Sequence, residues 1–502
     1  MRKLLLASAA IFGATGGLAF AQAPSQGQLV APWAAGPAAN NNNNVWGTAI
    51  PGAVAVPTPG TVVIRLNGRV EVDVGAYFTS ADKAGSIIGG GSFKLNPIGI
   101  SSYMRLYPGV DGMATNGLRY GAAIELRENV GNPNTFSNSV TVTSTTAGSL
   151  ASQTSASSPS GYSSSETVFV RRAFVYVGSD KLGIVRIGQT DGVIGLFDNG
   201  SYTSQTFDGG LGNFNGGAMQ ANTAGAGVAI PFAWLSQAGA EYSNTKIVYL
   251  TPQFFGFDFG LQYAPNMGNS FSSSLGGTAL QAGPCNAASS GCISVTTGND
   301  PTRWLNQVAV GARYQGTFGG VNVGAFAVYE TAGKEQINGG GIAAGGPGYT
   351  AGSTSNALLR YDNLNFVNAA VKVEVPSVGL TWAFDYIGGA LNGQLSMRPT
   401  GGAPENAFVT GLVYKNGPWV VGAEVGVVES QGQANLTKIS QRKETEFAIG
   451  GTYNAAPGLA FVLEYMHTER HQGQFDFVTN STATGTRDVK GNGVTFATVV
   501  TW

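Results

Sequence analysis

The sequence predicts an all-β fold: a transmembrane antiparallel β-barrel of sixteen strands, with short turns at one end and long loops at the other. Three observations carry this expectation. Apolar and polar residues alternate with period two in segment after segment, the mark of a strand with one greasy face and one wet face. The connections between these segments alternate between short and long along the chain, as in outer-membrane barrels. The chain is also poor in charge, 11% of 502 residues, although 43% are hydrophobic. A soluble chain of this length covers itself with about twice that charge, so much of the surface here does not face water.

The residues justify each part in chain order. Arg2 and Lys3 precede an apolar and small-residue run from Leu4 to Phe20, followed by small-x-small sites at Ala19–Ala21 and Ala21–Ala23. Residues 1–23 therefore read as a secretory signal peptide, whose removal leaves a mildly acidic chain. Residues 24–60, with the asparagine run Asn40 to Asn44, show no period and read as a flexible segment. No run reaches ~18 apolar residues, so no transmembrane helix is expected.

The pattern changes at Val62, and residues 61–502 are assigned to the barrel. Ile64, Leu66, Val70, Val72, Val74, Ala76 and Phe78 alternate with Arg65, Asn67, Arg69, Glu71 and Asp73. Further strands start near Phe93, Leu118, Thr167, Gly183, Asn244, Phe255, Leu305, Val321, Asn365, Val378, Phe408, Pro418, Glu444, Leu459 and Val489. Short connections include 179–182, 316–320, 376–377, 415–417 and 454–458. Long ones include 129–166, 190–243, 264–302, 331–362 and 468–488. An even strand number returns both ends to one side. Closure removes sheet edges whose unpaired groups would cost several kcal/mol each in lipid. The terminal strand carries Val494, Phe496 and Val500 in alternation and ends on Trp502.

Within this frame the stretches Arg171–Gly178 and Leu182–Gln189 resemble the fourth and fifth strands of general bacterial porins, and Asn244–Phe257 is similar to their sixth and seventh. Leu106–Gly109 and Gly188–Gly192 resemble a subgroup from alphaproteobacteria of the acetic-acid type. The resemblance implies a homotrimer in a Gram-negative outer membrane, reached through the periplasm, beside lipid and lipopolysaccharide. It implies passive diffusion of small hydrophilic solutes and ions, and a third long loop, here Thr190 to Ser243, folded into each barrel. That loop is long and glycine-rich and lacks the usual acidic tip motif.

A channel of this kind needs a constriction that sorts solutes by size and field. Between Arg186 and Lys246 there is no Lys or Arg, while Asp191, Asp198, Asp208 and Glu241 are acidic. If the loop turns inward, Asp191, Asp198 and Asp208 form an acidic side. The opposing bases are then Arg65 and Arg69, followed by Arg105, Arg119, Arg127, Arg171 or Arg172, and Arg186, with Lys246 after the loop.

Other chemistries are excluded or secondary. A formal net charge of −1 argues against nucleic acid. Two histidines, His467 and His471, support neither a hydrolase constellation nor a metal site, so no catalysis and no cofactor are expected. A solute-specific channel and a structural or adhesive barrel are the alternatives, the latter motivated by the Ser/Thr-rich stretch Thr135 to Ser165. Cys285 and Cys292, close together in an exported chain, suggest a disulfide, two free or metal-bound thiols being the other possibility.

Overall fold

A computed structural model describes residues 57–80, 82–85, 92–94, 96–130, 168–179, 181–198, 245–266, 304–334, 362–392, 398, 400–432, 441–477, 481–482 and 485–502. The expected segments 1–23 and most of 24–60, together with Asp208, Cys285 and Cys292, lie outside these residues.

Sixteen strands form one closed antiparallel barrel. In chain order they are β1 (Thr61–Thr79), β2 (Ile98–Met113), β3 (Arg119–Val130), β4 (Val168–Ser179), β5 (Gly183–Gln189), β6 (Thr245–Leu250), β7 (Phe257–Asn266) and β8 (Trp304–Phe318). They continue as β9 (Val321–Lys334), β10 (Leu364–Val375), β11 (Leu380–Ala390), β12 (Glu405–Asn416), β13 (Trp419–Ser430), β14 (Arg442–Ala456), β15 (Leu459–His471) and β16 (Val489–Thr501). Each strand pairs with its chain neighbours, and β1 closes the wall against β16, from Arg69↔Thr501 to Thr79↔Gly491. One short helix, α1 (Val193–Asp198), follows β5. Among the described residues no helix is long and apolar enough to cross a membrane; the crossing is made by strands.

The alternation explains which face of each strand points where. On β1, Ile64 is 81% exposed and Leu66, Val70, Val72, Val74 and Phe78 are also exposed, whereas Arg65, Arg69, Glu71, Asp73 and Tyr77 are buried. The polar parity is thus inside and the apolar parity outside, the inverse of a soluble sandwich. The same inversion runs through Phe259, Leu261 and Tyr263 of β7, and Val494, Phe496 and Val500 of β16. Aromatics concentrate on the outer face from β7 onward, with Tyr263, Tyr329, Trp382, Tyr414, Trp419 and Trp502 exposed. Tyr263, Tyr386 and Tyr465 each donate a hydroxyl hydrogen bond to an asparagine on the adjoining strand, Asn306, Asn406 and Asn492, at 2.9 to 3.0 Å. The apolar ring sits in the wall while the polar tip finds a partner.

The structure shifts some expected strand starts. The second strand begins at Ile98, not near Phe93. Phe93 lies instead in a short ribbon, Ser92–Lys94 against Lys83–Gly85, within the loop after β1. A three-residue ribbon and the end of a long strand share the same local alternation. The seventh strand starts at Phe257, because Phe255 and Gly256 both adopt positive φ and form the turn. β12 starts at Glu405, three residues before Phe408.

The interior is not uniformly polar. Inward residues of β6 to β13 include Val248, Ala264, Ala309, Val328, Phe366, Ile387, Ala407, Val409 and Val428, which join α1 in one apolar cluster. The start of the loop after β5 packs on this patch.

Candidate pore lining

One side of the barrel interior is basic. Arg65 and Arg69 on β1, Arg105 on β2, Arg172 on β4, Arg186 on β5 and Lys246 on β6 are all buried on the inner face. Arg119 on β3 shares that face and is half-buried. Arg69 is the ladder partner of Arg105. Like charges placed opposite one another destabilise a sheet, so stability alone does not account for this pair.

Carboxylates and aromatic rings hold these bases in place. Arg65 pairs with Asp111, which also accepts a hydrogen bond from the Tyr176 hydroxyl. Arg69 pairs with Glu71 at 2.5 Å. Arg172 bridges Glu125 at 3.0 Å and Asp191 at 2.9 Å. The Arg186 guanidinium lies 5.0 Å from the centroid of the Phe174 ring.

The loop after β5 turns into the barrel at its start. Asp191, 1% exposed, is tied to Arg172, and Val193, Ile194, Leu196 and Phe197 of α1 are 0 to 1% exposed. The helix rests on β7, β8 and β9. Asp191 therefore acts in an ion pair at the loop root; it is not an open acid on a loop tip. Asp198 ends α1, and of its side chain, as of those of Arg171 and Arg127, nothing falls within the described residues.

The rest of the wall, from β9 round to β15, carries further acids. Among the described residues, Glu330 on β9, Asp385 on β11, Glu405 on β12, Glu424 on β13, Glu446 on β14 and Glu464 on β15 are all buried on the inner face. The bases on this wall are few. Lys372 lies 3.9 Å from Glu374, Arg470 pairs with Glu444, and Arg442 stacks over Phe475 and Phe477. Carboxylates are in excess there; those on β9 to β13 stand across the barrel from the arginines of β1 to β5, while Glu446 and Glu464 lie on strands that lead round to β16 and β1. The acids that the sequence points to at the constriction are those of the loop, and these wall carboxylates are not among them. Their parity was readable, since Glu424 and Glu446 fall between outward apolar positions, but parity alone does not say which strands stand opposite which.

A closed barrel, apolar outside and charged inside with a loop segment folded into it, defines a membrane channel of the outer-membrane class. The family described as Gram-negative porin matches residues 7–473, and the chain belongs to that family. No curated protein matches the chain. Among solved structures it is similar to the anion-selective porin from Comamonas acidovorans, at 14% identity over 88% of this chain and 100% of that one, with a TM-score of 0.46. It is also similar to the trimer form of OmpT from Vibrio cholerae, at 12% identity over 88% and 100%, TM-score 0.44. A variant of the Rh. blastica porin matches at 12% identity over 87% and 100%, TM-score 0.41. The chain is an outer-membrane porin, and its family and fold point to a channel rather than an enzyme.

Proposed function

We propose that the protein is an open diffusion channel for small hydrophilic solutes and ions, with a mild preference for cations. The observation that carries this reading is the opposition of two walls: arginines on β1 to β5, and the carboxylates Glu330, Asp385, Glu405 and Glu424 on β9 to β13. A water-filled space between such walls holds a transverse field, which turns polar solutes and slows apolar ones. Low-dielectric walls focus that field. Three of the bases, Arg65, Arg69 and Arg172, pair with Asp111, Glu71, Glu125 and Asp191, and the acids in excess on the rest of the wall set the sign of the selectivity.

The proposal extends to assembly and export. A homotrimer would use the outer face of β1 to β5, where Ile64, Val72, Ile98, Ile100, Ile124, Val175 and Ile187 are exposed and aromatics are scarce. The aromatic-rich face from β7 onward would meet lipid and lipopolysaccharide. Residues 1–23 would direct export through the periplasm, and a source among acetic-acid-type alphaproteobacteria would fit the motifs Leu106–Gly109 and Gly188–Gly192. Cys285 and Cys292 would close their loop as a disulfide.

Single-channel recording with a panel of neutral solutes tests the central claim. Conductance proportional to salt, with solute flux falling smoothly with size, is expected. Flux that saturates with one solute would make it a solute-specific channel, and an absence of openings would leave a structural barrel. A monodisperse monomer by light scattering in mild detergent would overturn the trimer.

A further inference from the structure

We propose that a hollow in the outer wall, on strands β12 to β16, is a binding site for the acyl chains of one phospholipid of the periplasmic leaflet. The site depends on the chain's place in the outer membrane and is independent of what passes through the channel.

The hollow begins as a gap among the outward side chains. Val421, Val425, Phe447, Ile449 and Leu463 are all large and exposed on this face. Two outward positions among them are small, Ala423 on β13 and Gly451 on β14. They lie on adjacent strands in neighbouring rows of the ladder, where Ala423 pairs with Ile449 and Val421 pairs with Gly451. A Cβ on Gly451 would lie 2.9 Å from the Val420 carbonyl oxygen and 3.1 Å from Val421 Cγ1, so this position stays bare. The result is a cavity of about 1070 Å³ lined by apolar side chains of the outer face. Its size matches the upper end of the ~300–1,000 Å³ usual for small-molecule sites.

Aromatic contacts fix its edges. Trp419 and Tyr453 form the lower edge, with ring centroids 4.4 Å apart. Phe461 stacks on Phe496 along one side, at 6.0 Å and 16°. At the upper edge the Tyr465 hydroxyl donates to Asn492 Oδ1 at 2.9 Å. Rings held in this way do not swing in to fill the space, so the hollow is preformed.

Its depth selects the leaflet. The lower edge adjoins the short turns 415–418 and 454–458, which face the periplasm in a barrel of this class. Trp419 to Ala423 is four residues, about 13 Å along a strand and about 10 Å of depth at a tilt of ~35–45°. The apolar band of such a barrel is ~25 Å tall, so the hollow lies in its periplasmic half, at the level of phospholipid tails. Asn454 stitches the two turns together, its backbone N–H and its Nδ2 both donating to the Pro418 carbonyl oxygen at 2.9 and 3.2 Å. Lys415 is exposed and is the only charged residue in these turns. It sets one cation at the foot of the hollow, where a lipid phosphate would stand.

In a bilayer the hydrophobic effect does not choose between one apolar surface and another, because lipid tails are as apolar as Leu. Shape does choose. A gap against the wall forfeits dispersion contacts, so a rigid concavity gains most from a chain that fits it and stays.

The test is native mass spectrometry of the protein in mild detergent, after incubation with palmitoyl-oleoyl phosphatidylglycerol. Wild type should retain one lipid per protomer. Ala423→Phe fills the hollow from an outward position and should lower retention by about tenfold, as a steric block does. Lys415→Gln should lower it by about fivefold, the worth of one base beside an anionic headgroup. Ala327→Phe, at an outward position of β9 outside the hollow, should leave it unchanged. Equal retention in the two phenylalanine variants, or no retained lipid in the wild type, would overturn the proposal. So would an Ala423→Cys disulfide between copies, in a background with Cys285 and Cys292 changed to serine, because a second copy would then fill the hollow. Ala423→Phe should conduct as the wild type does. A failed lipid site therefore leaves the channel reading standing, and a wild type that opens no channel leaves the lipid site standing.

Discussion

Gly68 on β1 lies directly under the indole of Trp502. Each residue donates its backbone N–H to the other's carbonyl oxygen at 3.1 Å. A Cβ on Gly68 would sit 2.2 Å from Trp502 Cζ2. The last residue of the chain is thus locked across the seam where β16 meets β1, and the absence of a side chain at Gly68 makes room for it.

Gly68→Val should therefore weaken closure, by about 1–3 kcal/mol as for an overpacked site. The check is a double-mutant cycle read by urea unfolding. Trp502→Ala removes the ring that a valine would strike, so the Gly68→Val cost should shrink in that background. Equal costs in both backgrounds would mean that the indole does not occupy this space.

Selectivity should follow the acidic wall. Changing Glu330, Glu424 and Glu464 together to glutamine is expected to move the reversal potential in a potassium chloride gradient toward anion preference. The shift should shrink as salt rises, because the Debye length is ~10 Å at ~0.1 M and shorter above it. Asp191→Asn should alter channel noise more than selectivity, since that carboxylate is bound to Arg172. The opposite ranking would return the loop acid to the role of field source.

Breaking the Arg172 bridge should be costly. Arg172→Gln leaves the carboxylates of Glu125 and Asp191 buried without that guanidinium, a change worth about 3–5 kcal/mol when a buried pair loses one member. Adding Glu125→Gln should recover part of it. Unfolding midpoints of the single and double variants measure both effects, and no recovery would argue that Glu125 contributes little.

The two faces of the barrel wall should respond oppositely to charge. Leu261→Arg places a cation on the lipid side, where it costs about 2–4 kcal/mol near the bilayer midplane and less toward the interfaces. Thr495→Lys, on the inner face of β16, should cost much less. Folding titrations into lipid vesicles compare the two directly, and similar penalties would contradict the inside-out alternation.

Much of the barrel was legible in the residues themselves. Period-two alternation is a local property of a strand between lipid and an aqueous interior, so Val62 to Phe78, Phe257 to Tyr263 and Val494 to Val500 declared their faces without any partner in view. The alternation of turns such as Gly319–Gly320 with long loops likewise implied sixteen strands and one closed wall. The inward parity of Arg65 and Arg69 came from the same pattern, while the choice between Arg171 and Arg172 waited for the structure, which buries Arg172. Phe93 shows the limit at the local level, because a three-residue ribbon in a loop carries too little pattern to be told from the start of a strand. The limit at the level of the site is different in kind. Glu330, Glu405 and Glu424 are about 75 and 19 residues apart along the chain, and only closure of β1 against β16 sets them across the barrel from Arg69 and Arg105. The contacts of Gln262 on β7 and Arg313 on β8 with α1 likewise join residues more than 60 positions apart. Alternation tells a side chain which way to point, but its partner across the lumen is set by strand register and barrel closure, which are relations among distant segments and belong to the tertiary structure.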